Sequence, residues 1–345
     1  MKFNPSEIAK PNGNIFALPF SKKEAKVILI PVPSEITVSF RSGTSFGPKA
    51  ILSASPQIDF YDPSFPSSWE KGIFMLPISK KWKKHCQKLR SIATQCIKYL
   101  EKENFSKKKN KVLWEKVNQG TEILANWVQK ISEENIAKNK IVGVLGGDHS
   151  SPLGLIRALA KKYKFGILMI DAHLDLRYGY EGFQNSHASI MRNASGIKEV
   201  EKIVNVGARD FCEEEIEFVK KNKNRISFFG DQKISDKLFS GKKWPSLCQE
   251  IIAKLPKNVY ISFDIDGLNP MLCPNTGTPV PGGLEFNQAI FLIRQIVKSG
   301  RKIIGFDLCE VSPAKAGDFA SDWNAIVGSR ILYQLFILAV GSEKK

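Results

Sequence analysis

Setting aside Asp148, which can cap a helix, four aspartates and two histidines stand in three short strings, each at the end of an apolar run; these residue types bind divalent cations or move protons. The first string is Gly146-Gly147-Asp148-His149-Ser150, after Ile141 to Leu145. The second, Asp171-Ala172-His173-Leu174-Asp175, continues the run Phe165 to Ile170, and the third is Ser262-Phe263-Asp264-Ile265-Asp266. In extended backbone the side chains at 171, 173 and 175 point to one side, and so do those at 264 and 266. Carboxylates focused on one spot repel each other and are costly to desolvate, so they require compensating positive charge. A metal supplies it directly; Lys or Arg neighbours are the plainer source. Four carboxylates and two imidazoles without a thiolate form a hard-leaning donor set that favours Mn²⁺ over a structural Zn²⁺. Six donors are too many for one catalytic ion with open positions, so two ions sharing bridging carboxylates, roughly 3.5 to 4 Å apart, are expected. Each string alone is weak, since a lone His after a strand is commonly structural. Their convergence carries the reading.

The elements that must position them follow from periodicity. Short, continuously apolar runs recur at Val27 to Pro31, Ile141 to Leu145, Phe165 to Ile170, Ile203 to Gly207, Val259 to Ile265 and Lys302 to Leu308. Such runs mark strands covered on both faces. Between them lie helix-period segments, including Pro152 to Lys162, Glu213 to Asn222, Leu284 to Lys298 and Trp323 to Val340. Alternation of this kind predicts an α/β fold: a single doubly wound, largely parallel sheet with helices on both faces, in one domain over 1–345. Open sheets of this type bind ligands at the C-terminal ends of their strands, where all three strings fall.

One region breaks the rhythm. From Ile78 to Val117 there are 13 Lys or Arg against three Asp or Glu, with Leu89, Ile92, Ile97, Leu100, Leu113 and Val117 at rough helical spacing. The pattern predicts two surface helices joined by a solvated loop near Phe105 to Lys111. This segment holds much of an excess that totals +17 over 345 residues, from 51 Lys plus Arg and 34 Asp plus Glu. Only ten of the basic residues are Arg, which argues against nucleic-acid readout and for a Lys-rich solvated surface. The six Cys are scattered without a C-x-x-C, which fits a reducing, cytoplasmic setting. Met1 to Phe20 has no long apolar core, so no secretory signal is expected, and the apolar stretch Ile331 to Val340 is about half of a membrane span.

In this order the strings resemble the ureohydrolase family of arginases, agmatinases and formimidoylglutamases. Arg41-Ser42-Gly43-Thr44-Ser45-Phe46-Gly47-Pro48, Asp171 to Arg177 followed by Ser186-His187-Ala188, and Thr276-Gly277-Thr278-Pro279 with Pro281-Gly282-Gly283 look most like the agmatinase branch. The resemblance implies two Mn²⁺ ions per chain. His149, Asp171, Asp175 and Asp264 would hold one, and Asp171, His173, Asp264 and Asp266 the other. It also implies that Glu310, in Phe306-Asp307-Leu308-Cys309-Glu310, pairs with a substrate guanidinium and that His187 shuttles protons, with Asp266 as a second proton carrier. An imidazole in the Gly-, Asn- and Ser-rich loop 178–189 is expected to titrate near neutral pH. A homo-oligomer, trimer or hexamer, is a further implication. Three positions depart from the family pattern: Asn269 and Asn275 stand where Asp and Gly are usual, and Ala188 where Gly is common. None is a proposed ligand, but Asn269 removes a negative charge expected to tune the site.

The expected reaction is hydrolysis of a guanidino or formimino C–N bond in a small substrate, with agmatine favoured over arginine, guanidinobutyrate and formimidoylglutamate. Arg177 would meet a carboxylate tail and Glu181 an ammonium tail. Two readings from other classes are weaker. A single-ion zinc deacetylase would leave Asp175 and Asp266 without purpose, and a nucleic-acid-binding protein on an inactive scaffold rests on the +17 alone.

Overall fold

The computed structural model describes residues 3–102, 111–315, 317 and 319–344. Eight strands form one sheet: β1 Val27–Val32, β2 Ile73–Met75, β3 Ile141–Gly146, β4 Phe165–Ile170, β5 Val200–Val206, β6 Ile226–Phe229, β7 Asn258–Asp264 and β8 Lys302–Cys309. All neighbours pair in parallel, in the order β2-β1-β3-β8-β7-β4-β5-β6. The helices are α1 Gly47–Ala54, α2 Lys80–Leu100, α3 Lys111–Ile136, α4 Leu153–Ala160, α5 Ile190–Ser195, α6 Glu213–Lys221, α7 Asp231–Phe239, α8 Trp244–Ile252, α9 Phe286–Lys298 and α10 Trp323–Gly341.

The continuously apolar strands are explained by burial on both faces. On β4, Leu168 and Ile170 enter a core shared with α8, α9 and α10, while Ile167 and Met169 enter a second core with α2, α3, α4 and α5. The six expected strands all form. The two edge strands, β2 and β6, are not apparent from the pattern: at three and four residues they are too short to show a period. Among the described residues one helix, α10, is long and apolar enough to cross a membrane, longer than the stretch read from sequence. Its residues are buried on nearly every side and it packs against α1 and β8, as the core helix of a layered fold does.

The basic segment needs correction as a purely surface feature. The first helix, α2, buries Cys86, Leu89, Ala93 and Cys96, and α3 runs on to Ile136 with Trp114, Val117, Leu124 and Val128 buried. Leu100 is exposed, because it closes α2 beyond the packed face. The connecting loop expected near Phe105 to Lys111 lies outside the described residues, except for Lys111, which begins α3.

The four strands β3, β8, β7 and β4 are adjacent at the centre of the sheet, so the segments leaving their C-terminal ends converge. His149, Glu310, Asp264 and Asp171 follow or end those four strands in that order.

Candidate active site

Close backbone packing sets the first segment. Gly147 lies so near the loop after β1 that a Cβ there would sit 1.7 Å from the Ser34 carbonyl oxygen, and only glycine fits. The Gly147 amide donates to Val32 O (2.8 Å) and that of Asp148 to Ser34 O (2.8 Å). His149, with a side chain 1 % exposed, is thereby turned into the sheet edge.

His149 Nδ1 lies 3.0 Å from Asp171 Oδ2, 3.0 Å from Asp175 Oδ2 and 3.3 Å from Asp264 Oδ2. On the other side of the ring Nε2 is 2.9 Å from Ser262 Oγ, and Ser262 donates its hydroxyl proton to Asp307 Oδ2 (2.9 Å), as does Tyr260 (2.6 Å). A hydroxyl that gives its one proton to Asp307 must accept from the imidazole, so this network assigns the ring proton to Nε2. The Nδ1 lone pair then faces three carboxylate oxygens. Both Nδ1 and Asp171 Oδ2 are buried without a hydrogen-bond partner. A lone pair and anionic oxygens crowded at this distance repel unless a cation lies among them, and the donor set fits one.

The second group shares Asp171. His173 Nδ1 lies 3.4 Å from Asp171 Oδ1 and 3.2 Å from Asp266 Oδ2, so the two Asp171 oxygens face the two histidines separately, as a bridging carboxylate would. Asp264 Oδ1 accepts the Asp266 amide (2.9 Å), and Asp266 Oδ1 accepts that of Ala172 (3.0 Å). Among the described residues two clusters able to hold an ion result, His149 with Asp171 and Asp175, and Asp171 with His173 and Asp266. Asp264 lies at the first of them; its closest imidazole is His149.

The convergence does not arise from strand alternation. β4 ends at Ile170, and Asp175 has a left-handed backbone (φ 52°) pinned by Met191 and Arg192 amides donating to its carbonyl (both 3.1 Å). Ile265–Gly267 is a single 3₁₀ turn that brings Asp266 back beside Asp264. Glu310 is also left-handed (φ 62°): its amide donates to Gly147 O (2.8 Å), its carbonyl accepts from Thr276 Oγ1 (2.9 Å), and its Oε1 accepts from the His149 amide (2.9 Å). Two non-glycine residues held in that region, both in contact with His149, mark a site whose surroundings over-determine it.

Electrostatics agree. Burial would push the His149 imidazole down, yet Asp171 and Asp175 outweigh it and hold the ring well above its usual range, so that without a metal a proton on Nδ1 takes the place that a cation would fill. Burial and then the Asp171 charge raise Asp175 to about 7. Burial, Asp266 and Asp171 push Asp264 well up, and burial with Asp148 does the same to Glu310. These groups are short of positive charge, and a bound cation relieves them all.

His187 begins a 3₁₀ turn at the rim, and burial, followed by the charges of His173 and His149, pushes its pKa down to about 4. The expected titration near neutrality is corrected: the loop is packed, its ring meets Tyr180 edge-on (centroids 5.9 Å), and the imidazole is neutral at pH 7. A cavity of about 140 Å³ opens beside His173, Asp175 and His187, with Arg177, Asp210 and Thr278 also in its wall. The Arg177 guanidinium stacks over Tyr180 (5.0 Å), with Nε 3.9 Å from Glu215 Oε2. Glu181 does not line this cavity; its carbonyl accepts the Trp114 indole. Sequence reading missed Asp210, which follows β5 by a short turn and would have been found by applying the strand-end rule to every strand. Asn269 donates to Glu285 Oε1 (2.9 Å) and accepts from the Met271 amide (3.0 Å), so its altered charge is answered by Glu285 away from the carboxylate cluster.

Comparison with known proteins places the sequence and the fold beside one group. The chain is 27 % identical to an N(1)-aminopropylagmatine ureohydrolase of Synechocystis sp. over 94 % of its length and 92 % of that protein, and 28 % identical to an agmatinase of Halalkalibacterium halodurans (88 % and 90 %). Its fold superposes on the agmatine ureohydrolase of Thermoplasma volcanium with a TM-score of 0.70 (23 % identity; 94 % of each chain) and on proclavaminate amidino hydrolase from Streptomyces clavuligerus with 0.73 (21 %; 98 % and 100 %). The sequence profile of the arginase family matches residues 25–337, so it is to the arginase family that this chain belongs.

Proposed function

We propose that this chain hydrolyses the guanidino group of a small cation-tailed substrate, agmatine first, giving urea and putrescine. The observation that carries the choice of tail is Asp210: it lines the cavity and, among the described residues, no hydrogen bond or ion pair engages its carboxylate, whereas Arg177, the cation that could receive a carboxylate tail, is stacked on Tyr180 and faces Glu215. A longer polyamine tail, such as that named for the Synechocystis relative, meets the same carboxylate and is the second reading.

Two divalent cations, Mn²⁺ for this hard donor set, would be held by His149, Asp171, Asp175 and Asp264 and by Asp171, His173, Asp264 and Asp266, and would supply Lewis acidity and a water acidic enough to attack at neutral pH. Glu310 Oε2, buried and unpartnered, receives the guanidinium, which in turn returns its raised carboxyl to the charged form. Water adds to the guanidino carbon, the bond to the tail nitrogen breaks, and the two water protons pass in turn to that nitrogen, leaving neutral urea and an ammonium that carries the charge of the guanidinium. The neutral His187 ring in the cavity wall and Asp266 Oδ2 behind His173 are the carriers, and Thr278 Oγ1, 3.5 Å from Asp266 Oδ2, steadies the second. The six unpaired cysteines support a reducing, cytoplasmic setting.

The test is release of urea from agmatine, N1-aminopropylagmatine, arginine and guanidinobutyrate, and of formamide from formimidoylglutamate, by Mn²⁺-loaded protein. Turnover of the cation-tailed pair is expected; turnover confined to carboxylate-tailed compounds would overturn the assignment of Asp210.

A further inference from the structure

The basic segment reaches the cavity through residues other than its lysines. Arg90 on α2 donates from Nη1 to the carbonyls of Ile36 (3.4 Å) and Val38 and from Nη2 to Ser42 Oγ (3.2 Å), so one guanidinium grips the loop 36–42 at three points. On α3, Trp114 Nε1 donates to Glu181 O (2.7 Å). Asn118 takes hold of the same loop twice, donating to Gly182 O (3.2 Å) and accepting from the Gln184 amide (2.9 Å). The two loops meet at His187, whose amide donates to Thr37 Oγ1 (3.3 Å) and whose Nδ1 lies 3.4 Å from that hydroxyl. The helices themselves are locked: His85 Nε2 donates to Gly120 O (3.0 Å), the Trp82 and Trp127 rings pack at 4.8 Å, and a Cβ on Gly120 would meet Leu89 at 2.4 Å.

We propose that the α2–α3 hairpin is a brace that sets the position of His187 and the cavity rim, with Arg90 as its positioning residue. Only ten of the 51 basic residues are Arg, and a planar multi-donor fork is what three acceptors on one loop require; a lysine ammonium cannot span them. Loops are costly to order, and a displacement of about 1 Å at a reacting group is enough to lower turnover 10²-fold. Insofar as turnover is the readout, the inference rests on the hydrolase reading above.

The test compares full-length wild type with Arg90→Ala, Arg90→Lys and Trp114→Phe. Arg90→Ala is expected to speed amide hydrogen exchange about threefold or more in 36–42 and 183–189 while β3 and β4 keep their protection. It should lower kcat for urea release roughly 10- to 100-fold with KM moving less than about threefold, and Arg90→Lys should restore part of kcat. Trp114→Phe removes one donor and should loosen 178–186 alone. Unchanged exchange in both loops overturns the proposal, as does acceleration spread over the whole chain; loosened loops with wild-type kcat overturn the link to His187. Should Arg90→Ala fail to fold, Trp114→Phe decides: unchanged exchange in 178–186, or acceleration spread over the whole chain, overturns the proposal. A wild type that releases urea from no substrate defeats the hydrolase reading instead, and the exchange pattern still tests the brace.

Discussion

His149 and His173 are delivered to one carboxylate cluster by the same device, a strand end, and are held in opposite ways. The His149 side chain is 1 % exposed and is backed by hydroxyl, carboxylate and phenol in turn, through Ser262, Asp307 and Tyr260. His173 is 22 % exposed, faces only Asp171 and Asp266, and is fixed through its backbone: its amide donates to Asp171 Oδ1 (2.6 Å) and its carbonyl accepts from Asn205 Nδ2 (2.8 Å). The deep half is therefore oriented by an outer layer of hydrogen bonds, and the shallow half is the side that water and substrate reach. A buried polar chain that is fully satisfied rigidifies its site, whereas a backbone tether leaves room at the mouth.

The largest effect should come from Asp171, whose two oxygens serve both halves. Asp171→Asn is expected to lower kcat/KM roughly 10³-fold or more, because the Lewis-acid contribution at such sites is several kcal/mol. A steady-state urea assay measures it, and a loss below tenfold would show that the halves are independent. Next, Asp307→Asn and Ser262→Ala should weaken cation retention in the deep half roughly 10- to 100-fold, read by metal content after dialysis, while leaving the shallow half loaded. Equal loss from both halves would break the comparison. A smaller effect is expected at the mouth: Asp210→Asn should raise KM for agmatine roughly two- to fivefold, the range for an exposed ion pair, with no change for an alkylguanidine that lacks the tail ammonium. An equal rise for both compounds would remove Asp210 from tail recognition. The smallest concerns a charge outside both halves. Asn269→Asp should leave kcat/KM unchanged and cost about 0.2 to 1 kcal/mol by facing Glu285, seen as a slightly lower melting temperature.

The fold was legible wherever strands are buried on both faces, because a continuous apolar run survives without context. It was not legible at β2 and β6, which are short sheet edges. For the site, the residues were legible and their geometry was not. Asp171, His173 and Asp175 were expected to converge by strand alternation; they converge instead through coil and a left-handed Asp175, and Asp264 and Asp266 through a 3₁₀ turn. Asp210 was legible only by its place just beyond the strand run Ile203 to Gly207, and Arg90 carried no local signature, being one basic residue in a basic helix.

The sequence by itself determined the chemistry on offer: six oxygen and nitrogen donors at three strand ends, a Glu310 at a fourth, and a charge excess placed mostly elsewhere. The tertiary structure decided which atoms face which. The order β3-β8-β7-β4 brings segments more than a hundred residues apart to one point, where Nδ1 of His149 meets three carboxylate oxygens. It also gave His85, the histidine without a part in the motif strings, a place in the lock between α2 and α3. Local propensity acts over a few residues, whereas burial of both sheet faces joins distant segments and sets these distances.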